Sequence, residues 1–304
     1  MIVDNARDFI RALAENHYPR LYDPTPGSVM MVEPEGFYVN SESALDNHYM
    51  DLEHRVDPPR AMDQFHKLVR LIRSRGVNVH VFPGDTRTPD DVFPNNVFAT
   101  LPRRLVIGNM RYPNRQLEAE LKDIPQYFID QGYEVIDLRK CDCVAELTGV
   151  LIMDRARRIG FCGISERVDR AGAEAMHEAF KLNLTYCFDL APDEYHTNVV
   201  FSVLAARACV LYPGACAETG APEAVEAAFP ERTLFLDKNE KDHFVGNCIS
   251  LNDQDIFMSQ AAADALRPSS RQKLESWGFS IHSTELDELE KAGGSLRCMV
   301  AKVF

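Results

Sequence analysis

Residues 62–82 read MDQFHKLVRLIRSRGVNVHVF. Met62, Phe65, Leu68, Val69 and Ile72 recur at helical spacing, Gly76 suits the left-handed residue that ends a helix, and Val77 to Phe82 reads as a strand. This order of helix, turn residue and strand returns along the chain. Leu117, Leu121 and Phe128 lead to Gly132 and Tyr133 to Leu138, with Pro125 expected to kink or split that helix. Ala171 to Leu182 precedes Asn183 and Leu184 to Leu190, Pro222 to Phe229 precedes Pro230 and Thr233 to Leu236, and Ser270 to Trp277 precedes Gly278 and Phe279 to His282. The turn positions 76, 132, 183, 230 and 278 lie 47 to 56 residues apart. A period of that size marks five copies of one supersecondary unit.

After each turn comes an apolar stretch that begins with a polar residue. These stretches are Asn95-Asn96-Val-Phe, Glu146-Leu-Thr-Gly-Val-Leu-Ile, His196-Thr-Asn-Val-Val-Phe, Gly246-Asn247-Cys-Ile-Ser-Leu and Arg297-Cys298-Met-Val. If the units are arranged radially, as the blades of a propeller are, their equivalent strand ends converge on one axis. The expected fold is therefore α/β, a five-bladed propeller over residues 28–304, with 1–27 an N-terminal extension. That extension is read as a lid, an oligomer contact or a plain helix. A cysteine alone is most often a small buried apolar residue, and Cys248 is read that way. Cys298 differs because a histidine and a glutamate occupy equivalent points of other units. A thiol with an ordinary pKa of about 8.5 is mostly protonated at neutral pH, so a nucleophilic cysteine needs a base such as His196 beside it. His196→Ala is accordingly expected to abolish alkylation of Cys298 near neutral pH. Glu146 can orient the imidazole or bind substrate N–H groups.

The composition, 45% apolar and 26% charged, is that of a globular chain. The N-terminus lacks an apolar leader and no apolar run reaches membrane-spanning length, so a cytoplasmic protein with no membrane partner is expected. The eight cysteines form no Cys-x-x-Cys pair and no histidine cluster at zinc spacing, so reduced thiols and no metal are expected. A net charge of −13 repels a phosphate backbone, which argues against nucleic acid. The oligomeric state is left open.

The motifs Pro89-Asp-Asp-Val-Phe-Pro-Asn-Asn96, Glu146-Leu-Thr-Gly149, Gly163-Ile-Ser-Glu-Arg167, His196-Thr-Asn198 and Gly293-Gly-Ser-Leu-Arg-Cys298 together resemble the pentein superfamily of guanidine-modifying and amidinotransferase-like enzymes. The resemblance runs from about Ser28 to Phe304. It implies a pseudo-fivefold propeller of ββαβ units with Cys298 as nucleophile, His196 as general acid/base and Glu146 as its acidic partner. No cofactor or metal is implied. Arg115 and Arg167 match positions that bind an α-carboxylate in the dimethylarginine-hydrolysing branch, and Asp90 matches the carboxylate that contacts the α-amine, with Asp91 beside it leaving the register open. Asn95 is grouped with these substrate-binding positions.

Enzymes of this superfamily that act on arginine usually hold the guanidinium between acidic side chains, and two of those places here are Asn96 and Asn198. A buried cation without carboxylates is costly, whereas a neutral ureido group offers a carbonyl and N–H groups that an asparagine amide can match. The Pro89-Asp-Asp-Val-Phe-Pro-Asn-Asn96 and Ser295-Leu-Arg-Cys-Met299 motifs also resemble the citrulline utilization hydrolase branch, which implies hydrolysis of citrulline, a free amino acid, to ornithine, ammonia and carbon dioxide. An arginine dihydrolase branch also has asparagine at the first of these places. The alternatives are an arginine deiminase or dihydrolase, a dimethylarginine hydrolase, an amidinotransferase, and, from another class, a noncatalytic binding scaffold of the same fold.

Overall fold

The computed structural model describes residues 1–304. The helix Pro58–Ser74 shows how the sequence sets its elements. Asp57 caps it by accepting the Arg60 N–H at 3.2 Å, two prolines occupy its first turn where their missing N–H groups cost nothing, and Gly76 follows its end at φ +78°. Its apolar face, with Phe65, Leu68 and Ile72 fully buried, packs into a cluster with Val29, Met31, Leu296 and Met299. The same cluster includes Cys298, so the nucleophile candidate rests on this core.

The fold is α/β and contains five mixed sheets, each with an antiparallel ladder followed by a parallel one. In the first, Ala301–Val303 runs antiparallel to Ser28–Val32, which pairs in parallel with Asn78–Phe82. The second joins Phe98–Leu101, Arg104–Ile107 and Glu134–Asp137, and the third joins Leu151–Asp154, Ile159–Ile164 and Leu184–Asp189. The fourth joins Phe201–Leu204, Ala208–Leu211 and Thr233–Phe235, and the fifth joins Ile249–Ser250, Asp255–Ser259 and Ser280–Thr284. Helices lie on each parallel crossover, as a parallel pair requires. The first sheet takes its antiparallel strand from residues 301–303, which pair with Ser28–Met30 far upstream in the chain.

One feature differs from the sequence reading. The residues in left-handed conformation that end the third and fourth helices are Lys181 (φ +51°) and Glu231 (φ +60°), rather than Asn183 and Pro230. Of the two outcomes expected at Pro125, a kink or a split, the structure has the split: the helices Pro113–Glu118 and Asp123–Asp130 are separate, and Pro125 lies in the first turn of the latter, where its ring is tolerated. In the N-terminal extension, for which a plain helix was one of the readings, two elements pack on the body of the fold while Leu21 and Tyr22 stay exposed. Ile2–Val3 adds a parallel strand to the third sheet, and the helix Ala6–Glu15 buries Phe9 on the Tyr186 ring at 5.1 Å and against Ala221, Ala224 and Val225. No helix is long and apolar enough to cross a membrane.

Candidate active site

Single helical turns immediately before the first strands of four sheets carry the candidate residues. These are Pro94–Asn96, Leu147–Val150, Thr197–Val200 and Leu296–Met299, with Glu146 and His196 as the residues that open two of them. Each turn is short because the following residue enters a β ladder. The polar side chain is thereby held at a strand end by backbone on both sides.

Glu146 is fully buried and accepts from three sides. The Arg111 backbone N–H reaches Oε1 at 3.1 Å, Arg167 Nη1 donates to Oε2 at 3.3 Å, and His196 Nε2 lies 2.8 Å from Oε2. Burial works against ionisation, but the Arg167 charge and the His196 hydrogen bond hold the carboxyl well below the usual range. An ionised carboxylate has no proton to give, so Nε2 of His196 carries the hydrogen. Nδ1, buried and without a partner, is left with the exchangeable lone pair. Burial pushes the imidazole pKa down despite Glu146, so the ring rests neutral.

Cys298 is 1% exposed. Its sulfur accepts from Asn247 Nδ2 at 3.3 Å and donates to Asn198 Oδ1 at 3.7 Å, while His196 spends its bonded nitrogen on Glu146. Burial raises the thiol pKa and the Asn247 donor opposes it, with a net upward shift. The resting group is the thiol. Asn247 is tied down by Nδ2 to the Asn198 carbonyl at 2.8 Å and by the Arg297 N–H to its Oδ1 at 3.0 Å. It stitches the histidine-bearing turn to the cysteine-bearing one. Asn247 appeared in the sequence only as the fourth equivalent position, and that position was the signal for it.

A small pocket brings Cys298 together with Asn96, Asp90, Arg115, Arg167 and Tyr195. Of the two adjacent aspartates, Asp90 lines it, accepting from Ser43 Oγ at 2.6 Å and Asn114 Nδ2 at 3.2 Å. Asp91 instead closes a turn by accepting from the Asp85 N–H and the Thr88 hydroxyl. Arg115 donates to Glu118 Oε2 at 2.9 Å. Burial lifts the Glu118 carboxyl to about 8 while the contact raises the Arg115 guanidinium; the two-point hydrogen bonding sets the pair as ionised. Arg167, 1% exposed, holds Asp46 through two nitrogens at 2.7 and 2.6 Å and the Ser43 carbonyl at 3.1 Å, and its guanidinium carbon lies 4.7 Å from the centre of the Tyr112 ring.

Asn95 stands apart from the other expected substrate-binding residues. Its Nδ2 donates to the Arg297 carbonyl at 2.9 Å and it lines a different cavity, because successive residues of the Pro94–Asn96 turn face opposite sides. Sequence reasoning missed Ser43, Asp46 and Asn47, which lie on a segment without helical or strand periodicity and close over the pocket. The Gly293-Gly294 pair was the available signal. Gly293 has φ +74° and a Cβ there would strike the Asn47 amide. Gly149 is required for a related reason: a Cβ would lie 2.8 Å from Asn96 Oδ1 and 2.9 Å from His196 Cε1.

With this geometry fixed, the chain was compared with known proteins. The family described as N,N dimethylarginine dimethylhydrolase, eukaryotic, matches residues 33–304. The chain belongs to that family. The dimethylhydrolase match takes in every candidate residue named above. The chain is 25% identical over 250 residues to the bifunctional arginine dihydrolase/ornithine cyclodeaminase AgrE of Nostoc sp., covering 82% of this chain and 34% of that relative. It thus spans about a third of that relative's length. It is 24% identical over 257 residues to the N(G),N(G)-dimethylarginine dimethylaminohydrolase of Mycobacterium tuberculosis, covering 84% of this chain and 80% of the other. Among solved structures, the substrate-bound N-terminal domain of ArgZ, an arginine dihydrolase of cyanobacteria, superposes with a TM-score of 0.80 at 22% identity, covering 91% of this chain and 97% of that one. The fold is that of the pentein enzymes.

Proposed function

We propose that this protein is a cysteine hydrolase that cleaves the ureido C–N bond of citrulline, a free amino acid, to give ornithine, ammonia and carbon dioxide. The observation that carries the reading is a pair of unpartnered amide atoms. Asn198 Nδ2 is a buried donor without an acceptor and Asn96 Oδ1 a buried acceptor without a donor. A ureido group supplies the carbonyl for the first and an N–H for the second, and unsatisfied buried groups of this kind call for such a ligand. The carboxylates around the pocket are already engaged: Glu146 by His196 and Arg167, Asp90 by Ser43 and Asn114, Glu118 by Arg115, Asp46 by Arg167. A neutral guest matches that balance. Asp90, Arg115 and Arg167 are assigned the ammonium and carboxylate of the amino acid. The five sheets are read as blades of one propeller, supported by the contacts of first strands between neighbouring sheets, Ala301–Val303 on Phe98–Leu101 and Leu151–Asp154 on Phe201–Leu204.

In this reading the Cys298 sulfur attacks the ureido carbon and the Asn198 amide takes the developing oxyanion. His196 Nδ1 accepts the thiol proton and returns it to the departing ammonia. Water, deprotonated by the same nitrogen, then cleaves the thiocarbamate. The resulting carbamate loses carbon dioxide and leaves ornithine, while the proton restores the thiol.

A second reading, arginine as substrate, is favoured by one observation. The resting sulfur is a protonated thiol held by two asparagines, and a guanidinium brings positive charge that would stabilise the thiolate. The relatives with arginine dihydrolase activity accord with it. One assay separates the two: incubation with citrulline, arginine and dimethylarginine separately, followed by ornithine, citrulline and ammonia. Ornithine and one equivalent of ammonia from citrulline are expected. Turnover of arginine with citrulline inert would overturn the neutral-substrate reading, and an inert Cys298 with every compound unreactive would restore the scaffold alternative.

A further inference from the structure

Behind the catalytic turns lies a second, small cavity. Three basic side chains line it, Arg155, Arg297 and Lys302, and no aspartate or glutamate does. The contrast with the other buried arginines is plain. Arg115, Arg157 and Arg167 each hold a carboxylate. Arg155 donates only to the Thr100 carbonyl at 2.8 Å and lies over the Phe304 ring at 4.3 Å, and Arg297 Nη1 finds only the Ser202 hydroxyl at 3.1 Å. Arg297, 8% exposed, also leaves its Nε–H without any acceptor. Lys302 makes neither a side-chain hydrogen bond nor an ion pair.

From this juxtaposition of three basic side chains without a carboxylate partner around an unpartnered Nε–H, we propose that the cavity binds a small inorganic oxyanion. The physical reason is desolvation: cations in a cavity without counter-charge are expensive to keep ionised, and a tetrahedral anion presents acceptors to several donors at once. The electrostatics agree. Burial pushes Arg155 down to about 9, Arg297 to about 10 and Lys302 far below its ordinary value, the pattern of groups that lack a partner. The Asn95 Oδ1 atom is buried without a donor in the same cavity and can receive the O–H of a hydrogen phosphate. A pocket nearer the surface adjoins it. Met153 and Arg155 are shared with an adjoining pocket edged by Tyr22, Phe180 and Phe304. The site is separate from the Cys298 pocket, with only one layer of chain between them. Asn95 and Arg297 face the cavity while their neighbours Asn96 and Cys298 face the pocket.

The test is thermal unfolding of the intact protein in inorganic phosphate against sodium chloride at matched ionic strength. Phosphate at ten times its dissociation constant is expected to raise Tm by roughly 3 °C or more, and calorimetric titration to show one site per chain. Lys302→Met and Arg155→Gln each remove one cation, and loss of the phosphate-specific rise in either supports the site. Lys302→Met should also melt no lower than the parent in phosphate-free buffer, since it removes an uncompensated buried charge. Equal effects of phosphate and chloride on the parent, or a phosphate rise retained in both variants, would overturn the proposal.

Discussion

His196 Nε2 lies 2.8 Å from Glu146 Oε2, and neither side chain is more than 1% exposed. That contact fixes the tautomer of the ring and so decides which nitrogen can move a proton. Glu146→Gln should lower kcat by about 10²- to 10⁴-fold, because a neutral amide can also donate to Nε2 and put the hydrogen on Nδ1. Steady-state kinetics with citrulline, alongside a melting curve to exclude unfolding, checks it.

The thiol itself gives a pH prediction. Because burial raises the Cys298 pKa, alkylation of the free protein by iodoacetamide should climb about tenfold per pH unit between pH 6 and 8, with no plateau. Asn247→Ala, which removes the donor to sulfur at 3.3 Å, should slow it about tenfold more at fixed pH. The sequence alone made His196 the activator of the free thiol; since the sulfur contacts Asn247 and Asn198, His196→Ala should slow alkylation less than Asn247→Ala does. The opposite order would return that role to the histidine.

Gly149→Ala places a methyl group between Asn96 and His196, closer to both than side chains normally approach. The ring must shift, and a displacement of about 1 Å at a reacting group costs roughly 10²-fold in rate. A loss of kcat with little change in Tm is expected. Unaltered kcat would show that the ring position is not critical.

Asp46 anchors the covering segment to Arg167. Asp46→Ala leaves that buried guanidinium with Glu146 alone, and breaking such a pair costs about 3–5 kcal/mol when it is complete. A smaller loss, about 2 kcal/mol in urea unfolding, is expected because Glu146 remains, together with a raised KM as Ser43 loses its anchor.

Phe9 tests the N-terminal helix. It is fully buried between the Tyr186 and Phe161 rings, and Phe9→Ala should lower stability by about 3–5 kcal/mol. A change under about 1 kcal/mol would mean that this helix is not part of the cooperative core.

The legible parts of the sequence were those written in local chemistry. Gly76, Gly132 and Gly278 stand where helices end at positive φ, so three of the five units punctuate themselves; Lys181 and Glu231 adopt the same conformation with no letter that signals it. Cys298, His196 and Glu146 were singled out because each stands just before a strand in a different unit, although the histidine and glutamate open their turns and the cysteine is the third residue of its own. Asp46 was not, since its partner Arg167 is 121 residues away and the segment between Phe37 and Asp57 has no period to read. Asn95 and Asn96 look interchangeable as letters. Only the turn that carries them decides which one faces the sulfur.

The ladder between Ala301–Val303 and Ser28–Val32 begins two residues beyond Met299 and three beyond Cys298 and pairs that segment with a strand far upstream. It is only three residues long on one side. A transient loosening of this ladder would carry the sulfur out of register even with the other four sheets intact. The reactive centre is thus installed at the molecule's own fastening, and loss of activity in mild denaturant should run ahead of the loss of secondary structure.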